Sequence, residues 1–247
     1  MSVKELAFVD VHCHIDLFEN PHSVAEEAES RHIYTIAVTN TPSVYAYTES
    51  MAEGLTYVRP AVGLHPELAA TRKHELSQMW QILERTRCVG EIGLDYQTTD
   101  ESDRQAQVKV FEQILACCAE YGNKILTVHS RRAAEDVVSV IGKDYPGRII
   151  LHWYSGSIRE LKRALSYGFH FSVNSAMIKS KKGRILTSKI PKDRLLTETD
   201  GPFIRISGEP AEPWHVSQII ESLSQIWSIG FDEARGQVLR NFRDLLH

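Results

Sequence analysis

His12 and His14 stand two positions apart in VDVHCHID. In an extended segment both imidazoles project to one face, where they can share a cation. Cys13 between them points the other way and reads as core. Such pairs are common on solvated surfaces, but Asp10 and Asp16 beside this one favour a metal site. Glu91 lies in VGEIGLD, and the flanking glycines let other groups approach its carboxylate closely. A lone carboxylate is costly to bury, so Glu91 either pairs with an arginine or bridges cations. His129 in TVHS and His152 in ILHW end successive apolar runs. Each alone reads more readily as a core histidine; with Glu91 they form a nitrogen–oxygen shell suited to a divalent ion. His65 in GLHP and Asp200 in LLTETDGP end two further runs, although Asp-Gly-Pro is also a turn sequence. The chemistry open to this set is metal-assisted hydrolysis.

These side chains act together only if the chain brings the run ends together. Short apolar, β-branched runs are expected as strands at Phe8–Val11, Ile33–Val38, Val58–Gly63, Val89–Gly93, Lys124–Val128, Arg148–Leu151, Phe169–Val173 and Leu195–Thr197. Helical spacing separates them, as at Arg104–Tyr121 and Ile158–Tyr167, and Gly122, Gly147 and Gly168 fall where helices should stop. Such alternation implies parallel strands with right-handed crossovers. An open sheet should carry a Gly-rich phosphate turn after its first strand, and VDVHCHIDL is not one. Eight units in 247 residues favour an α/β fold of the (β/α)₈ TIM-barrel, metallo-dependent hydrolase type, with residues 1–247 as a single domain. Pro213–His247 reads as two more helices, one completing the last unit and one closing the bottom or side. Function in such barrels sits at the carboxyl ends of the strands, which is where the residues above fall. The basic run KSKKGR, Lys179–Arg184, reads as a solvated loop or as a phosphate contact. The other histidines, including His170 and His215, read as surface or packing residues. Trp153 and Tyr154 line a pocket, stack on a base, or pack in the core.

The net charge of −4 argues against wholesale coating of nucleic acid, while leaving room for a local basic groove. No apolar run is long enough to cross a bilayer, and MSVKELAFVD has no signal core, so a cytoplasmic location is expected with no membrane partner. Four cysteines without a CxxC fit reduced thiols.

In its blocks VDVHCHID, AVGLHPE, VGEIGLDY, TVHSRRA, ILHWYSGS, LLTETDGPF and VLRNFRDLL, the sequence resembles the TatD family of metal-dependent deoxyribonucleases over nearly its whole length. The resemblance implies two divalent ions, Zn²⁺, Mn²⁺ or Mg²⁺. His12, His14, Glu91 and Asp200 would hold one, and Glu91, His129 and His152 the other. It also implies that His65 faces a phosphate. AVTNTPS and the stretch from Met177 to Phe203 resemble more closely the TatD-like member of a bacterial anti-phage (Qat) cassette, which implies the other cassette proteins as partners. Where the family commonly reads HSRDA, Arg132 replaces the acid; HCFSG becomes HWYSG; and the usual Asn-Glu-Pro is less clear at Gly208–Pro210. These departures bear on substrate preference more than on metal binding.

The expected activity is a 3′–5′ exonuclease-like DNase acting on single-stranded or frayed ends. Asp200, Glu91 and His65 are the catalytic candidates, and His65, Arg131, Arg132 and Trp153 the substrate contacts. A hydrolase of an amide, ester, lactone or aminoacyl-tRNA ester would use the same ligands; Arg and Lys in the pocket would separate it from a nuclease. A subunit active only within a defence complex is the third reading.

Overall fold

The computed structural model describes residues 7–247. Residues 1–6, most of the segment searched for a signal core, lie outside it. Eight strands follow one another around a parallel sheet in chain order: β1 (Phe8–Cys13), β2 (Ile33–Val38), β3 (Val58–Val62), β4 (Cys88–Gly93), β5 (Ile125–His129), β6 (Arg148–Leu151), β7 (His170–Val173) and β8 (Leu195–Thr197). They are buried on almost every position because helices cover their outer faces and side chains fill the barrel. Each lies within two residues of the run expected from sequence.

The barrel closes differently from the way its strands pair elsewhere. Among the described residues β8 and β1 share no ladder. Instead, the loop after β8 bonds back to the end of β1, Asp200 N–H donating to His12 O (2.9 Å) and His14 N–H to Gly201 O (2.8 Å). The Thr197 hydroxyl donates to Val9 O across the same seam.

Two strands carry one residue more than their partners. Asp10 and Cys13 pair with Thr35 and Ala37, and Val89 and Ile92 pair with Leu126 and Val128. These bulges contain His12 and Glu91, and a bulge re-aims the side chains it carries. The glycines around Glu91 are required by space. A Cβ on Gly90 would come within 2.1 Å of Thr127 Cγ2, and one on Gly93, at φ +135°, within 2.1 Å of His129 O.

Helix Glu101–Tyr121 begins before Arg104 because Asp100 caps it, accepting from Ser102 N–H at 2.8 Å, and stops at Gly122 at φ 68°. Helix Ile158–Ser166 opens with a capping box of Ser157 and Glu160. The loop reading of KSKKGR is corrected. Ser180 accepts from Gly183 N–H (3.0 Å) and caps a helix over Lys181–Lys189, directly after a short helix over Ser175–Lys179. Helices Val216–Trp227 and Phe231–Leu246 are the two expected after the last strand, and both pack on β1 and β8. No helix among the described residues is long and apolar enough to cross a membrane.

Candidate metal centre

Glu91 is the hub of the strand ends. Its Oε1 lies 2.7 Å from both His129 Nδ1 and His152 Nε2; its Oε2 lies 3.3 Å from His14 Nε2 and 3.7 Å from both His12 Nε2 and His65 Nε2. Asp200 Oδ1 is 3.7 Å from His12 Nε2 and from His14 Nε2. Three groups of potential ligands result: His12–His14–Asp200, His12–Glu91–His152 and His65–Glu91–His129. The first brings together three of the four residues, His12, His14, Glu91 and Asp200, that the sequence resemblance assigns to one ion. In the third His65 stands as near Glu91 as His12 does, so it joins the cluster of potential ion ligands. Cys13 faces the core, as expected.

An outer ring of polar groups fixes the imidazoles. Thr127 Oγ1 lies 2.7 Å from His12 Nδ1, and Asp95 Oδ2 lies 2.7 Å from His129 Nε2. Asp95 is held in turn by its own backbone, its N–H donating to Gln107 Oε1 at 2.8 Å from helix Glu101–Tyr121. Glu198 Oε2 lies 3.7 Å from His152 Nδ1, and Glu198 accepts from Trp153 N–H (3.0 Å), Asn174 Nδ2 (2.8 Å) and the Ser172 hydroxyl. Asp10 binds the Thr199 N–H (2.9 Å) and hydroxyl (2.5 Å), tying β1 to the loop that carries Asp200. Asp95 was not singled out from the sequence, and Asp10 was noted only as a neighbour of the histidine pair.

Burial would push the Glu91 carboxyl up, but the surrounding His65, His152 and His12 rings hold it well below the usual range. Burial, with His152 beside it, pushes His12 down to about 3. For His152 burial acts downward, yet the Glu91 and Glu198 carboxylates raise it well above an ordinary histidine. His129 is likewise raised against burial by Asp95 and Glu91. Burial lifts Asp200 to about 7 against the pull of His152 and His14, and Asp10 to about 8 against its bonds to Thr199. The surrounding histidines thus favour the ionised form of Glu91 despite its burial.

A divalent cation fits these residues. His12 Nε2 and both His14 ring nitrogens are buried without a hydrogen-bond partner, a condition rare for polar atoms in folded proteins. The 3.3–3.7 Å separations between nitrogen and oxygen suit ligands around one ion at about 2.0–2.2 Å.

The centre forms the floor of an open cavity of about 620 Å³, to which Asn40, Ser130, Arg131, Trp153 and Phe203 contribute. Arg132 lies instead in an adjoining groove of about 560 Å³, with Arg131 and Lys182. The Lys182 ammonium also donates to Ser155 O. Tyr154 does not line the cavity: it is buried, with its hydroxyl donating to Ser157 O at 2.8 Å.

Eight parallel strands with histidines and carboxylates gathered at their carboxyl ends define a barrel of the metal-dependent hydrolase class. Residues 9–247 match the family described as TatD related DNase, and the chain belongs to that family. It is 28% identical over 251 residues to the uncharacterized metal-dependent hydrolase YabD of Bacillus subtilis, covering 96% of this chain and 97% of that protein. It is 25% identical over 256 residues to the deoxyribonuclease TATDN3 of Homo sapiens, covering 94% and 92%. The crystal structure of YjjV, a TatD homolog from Escherichia coli K12, superposes with a TM-score of 0.86 at 26% identity, covering 96% of this chain and 97% of that one.

Proposed function

We propose that this protein is a divalent-metal-dependent deoxyribonuclease that hydrolyses phosphodiesters at unpaired strand ends, in the manner of a 3′–5′ exonuclease. The observation that carries the reading is the buried Glu91 carboxylate, met by five histidines within 3.7 Å at the floor of an open cavity with Arg131 at its side. His12, His14, Glu91 and Asp200 would hold one ion, and Glu91, His129 and His152 a second. When bound, such ions supply Lewis acidity and lower the pKa of the attacking water. Asp200 orients that water and takes its proton on the carboxylate. His65 Nε2 binds a phosphate oxygen and steadies the departing oxygen. Arg131 takes a further phosphate oxygen, and Arg132 and Lys182 continue the positive track along the adjoining groove. Strand binding weakens as salt rises.

Degradation of end-labelled single-stranded DNA, titrating Mg²⁺, Mn²⁺ and Zn²⁺ with Asp200→Asn alongside, tests this. Metal-dependent cleavage that falls by about 10²-fold or more in the variant is expected, and the labelled end reveals polarity. A full rate in Asp200→Asn would remove its role; no cleavage by the metal-loaded parent would move the reading to an amide or ester. The blocks AVTNTPS and 177–203 support a place in an anti-phage cassette. Equal phage plating with the parent and Asp200→Asn, in cells carrying the cassette, would count against that place.

A further inference from the structure

We infer that Phe203 and Trp153 form a stacking platform for unpaired nucleobases at the cavity mouth, so that this site selects strands bearing bases over bare phosphodiester backbone. The inference rests on the nuclease reading above and adds what recognises the substrate. Phe203 is 59% exposed and Trp153 37%, and both line the cavity that holds the metal centre. Single exposed apolar side chains are ordinary; two aromatic ones lining the cavity over the metal centre offer π-faces on which bases can stack.

Both are held in place by the centre's own framework. Trp153 follows His152 directly, has φ +38°, and donates its N–H to Glu198 Oε1 at 3.0 Å. That backbone is costly for a bulky side chain. It separates neighbours, turning Tyr154 into the core and leaving Trp153 outside. Phe203 lies three residues after Asp200, in a turn closed by Ile204 N–H donating to Asp200 O (3.2 Å) and Ala211 N–H to Ile204 O (2.8 Å). Its ring stands edge-on to His14, centroids 4.9 Å apart, so a base resting on Phe203 lies beside a metal-centre histidine. Stacking suits a strand without sequence preference, because every base has a π-face. An intact duplex hides those faces, which accounts for a preference for unpaired ends.

The test is equilibrium binding of the metal-loaded full chain to fluorescein-labelled oligo-dT and to an abasic strand of equal length, both with phosphorothioate linkages to slow turnover. The parent is expected to bind the base-bearing strand about tenfold or more tighter. Phe203→Ala and Trp153→Ala each shrink that ratio severalfold, and Phe203→Tyr retains it. Equal affinity of the parent for the two strands overturns the proposal. So does a Phe203→Ala variant that loses affinity for both strands by one factor, as a mere cover over His14 would. If Phe203→Ala melts at a lower temperature than the parent, the ratios of the parent and of Trp153→Ala decide. Hydrolysis of natural linkages is read separately: a parent that prefers bases yet cleaves nothing refutes the nuclease reading while leaving the platform standing.

Discussion

A histidine that offers one nitrogen to a cation needs its other nitrogen held, because the second bond fixes both tautomer and ring orientation. Thr127 does this for His12, and Asp95 for His129. Asp95→Asn leaves the size of the side chain nearly unchanged but removes the charge that His129 faces. Metal affinity should fall about 10- to 100-fold, measured by calorimetric titration of the metal-free protein. An unchanged affinity would mean that Asp95 serves the fold alone. The candidate site residues were legible because His12, His14, His65, His129, His152 and Asp200 follow the ends of apolar runs within three residues, and Glu91 lies inside one between glycines. Asp95 was not, although it lies in the same VGEIGLD block: nothing in its spacing tells that it reaches a histidine 34 residues away. The reach depends on Gln107, a helix residue with no metal-ligand character.

At the scale of strands and helices, periodicity located every barrel strand but could not reveal the two bulges, since an extra residue is defined only against the partner strand. Gly93 belongs to one of these junctions. Gly93→Ala should destabilise the fold by roughly 3 kcal/mol or more, because its methyl group would meet the backbone of His129; urea unfolding measures this, and a loss below about 0.5 kcal/mol would show that β4 can shift. The KSKKGR helix was missed for another reason. Its charges and glycine resemble a loop, and the Ser180 cap decides otherwise. His170, at the start of β7, is pushed to about 4 by burial, with Arg194 and Arg148 adding to the effect. It stays neutral in the folded chain while the unfolded chain takes a proton near pH 6.5. Its contribution is therefore intact above about pH 6.5 and is lost as pH falls towards 4, by about 3 kcal/mol in all. His170→Leu should flatten that limb in unfolding measurements across pH. Curves that stay parallel to the parent's would contradict the assignment.

For the molecule as a whole, the order of strands and their closure were readable from eight repeated units, but the manner of closure was not. The seam between β1 and β8 depends on bonds from Asp200 and His14, both candidate ligands. Chelating the metal should therefore speed backbone hydrogen exchange along β1 and β8 more than along β3 to β6, as mass spectrometry can resolve. Uniform acceleration around the barrel would contradict this. Seen as polymer physics, an ion gripping His12, His14 and Asp200 is a cross-link between the two ends of the chain. Asp10 and Thr199, bonded at this junction, are 189 positions apart, and a clip that closes so long a loop removes much of the freedom of the unfolded chain. The enzyme's cofactor would then also be its fastener, and starving the protein of metal would cost it shape as well as activity.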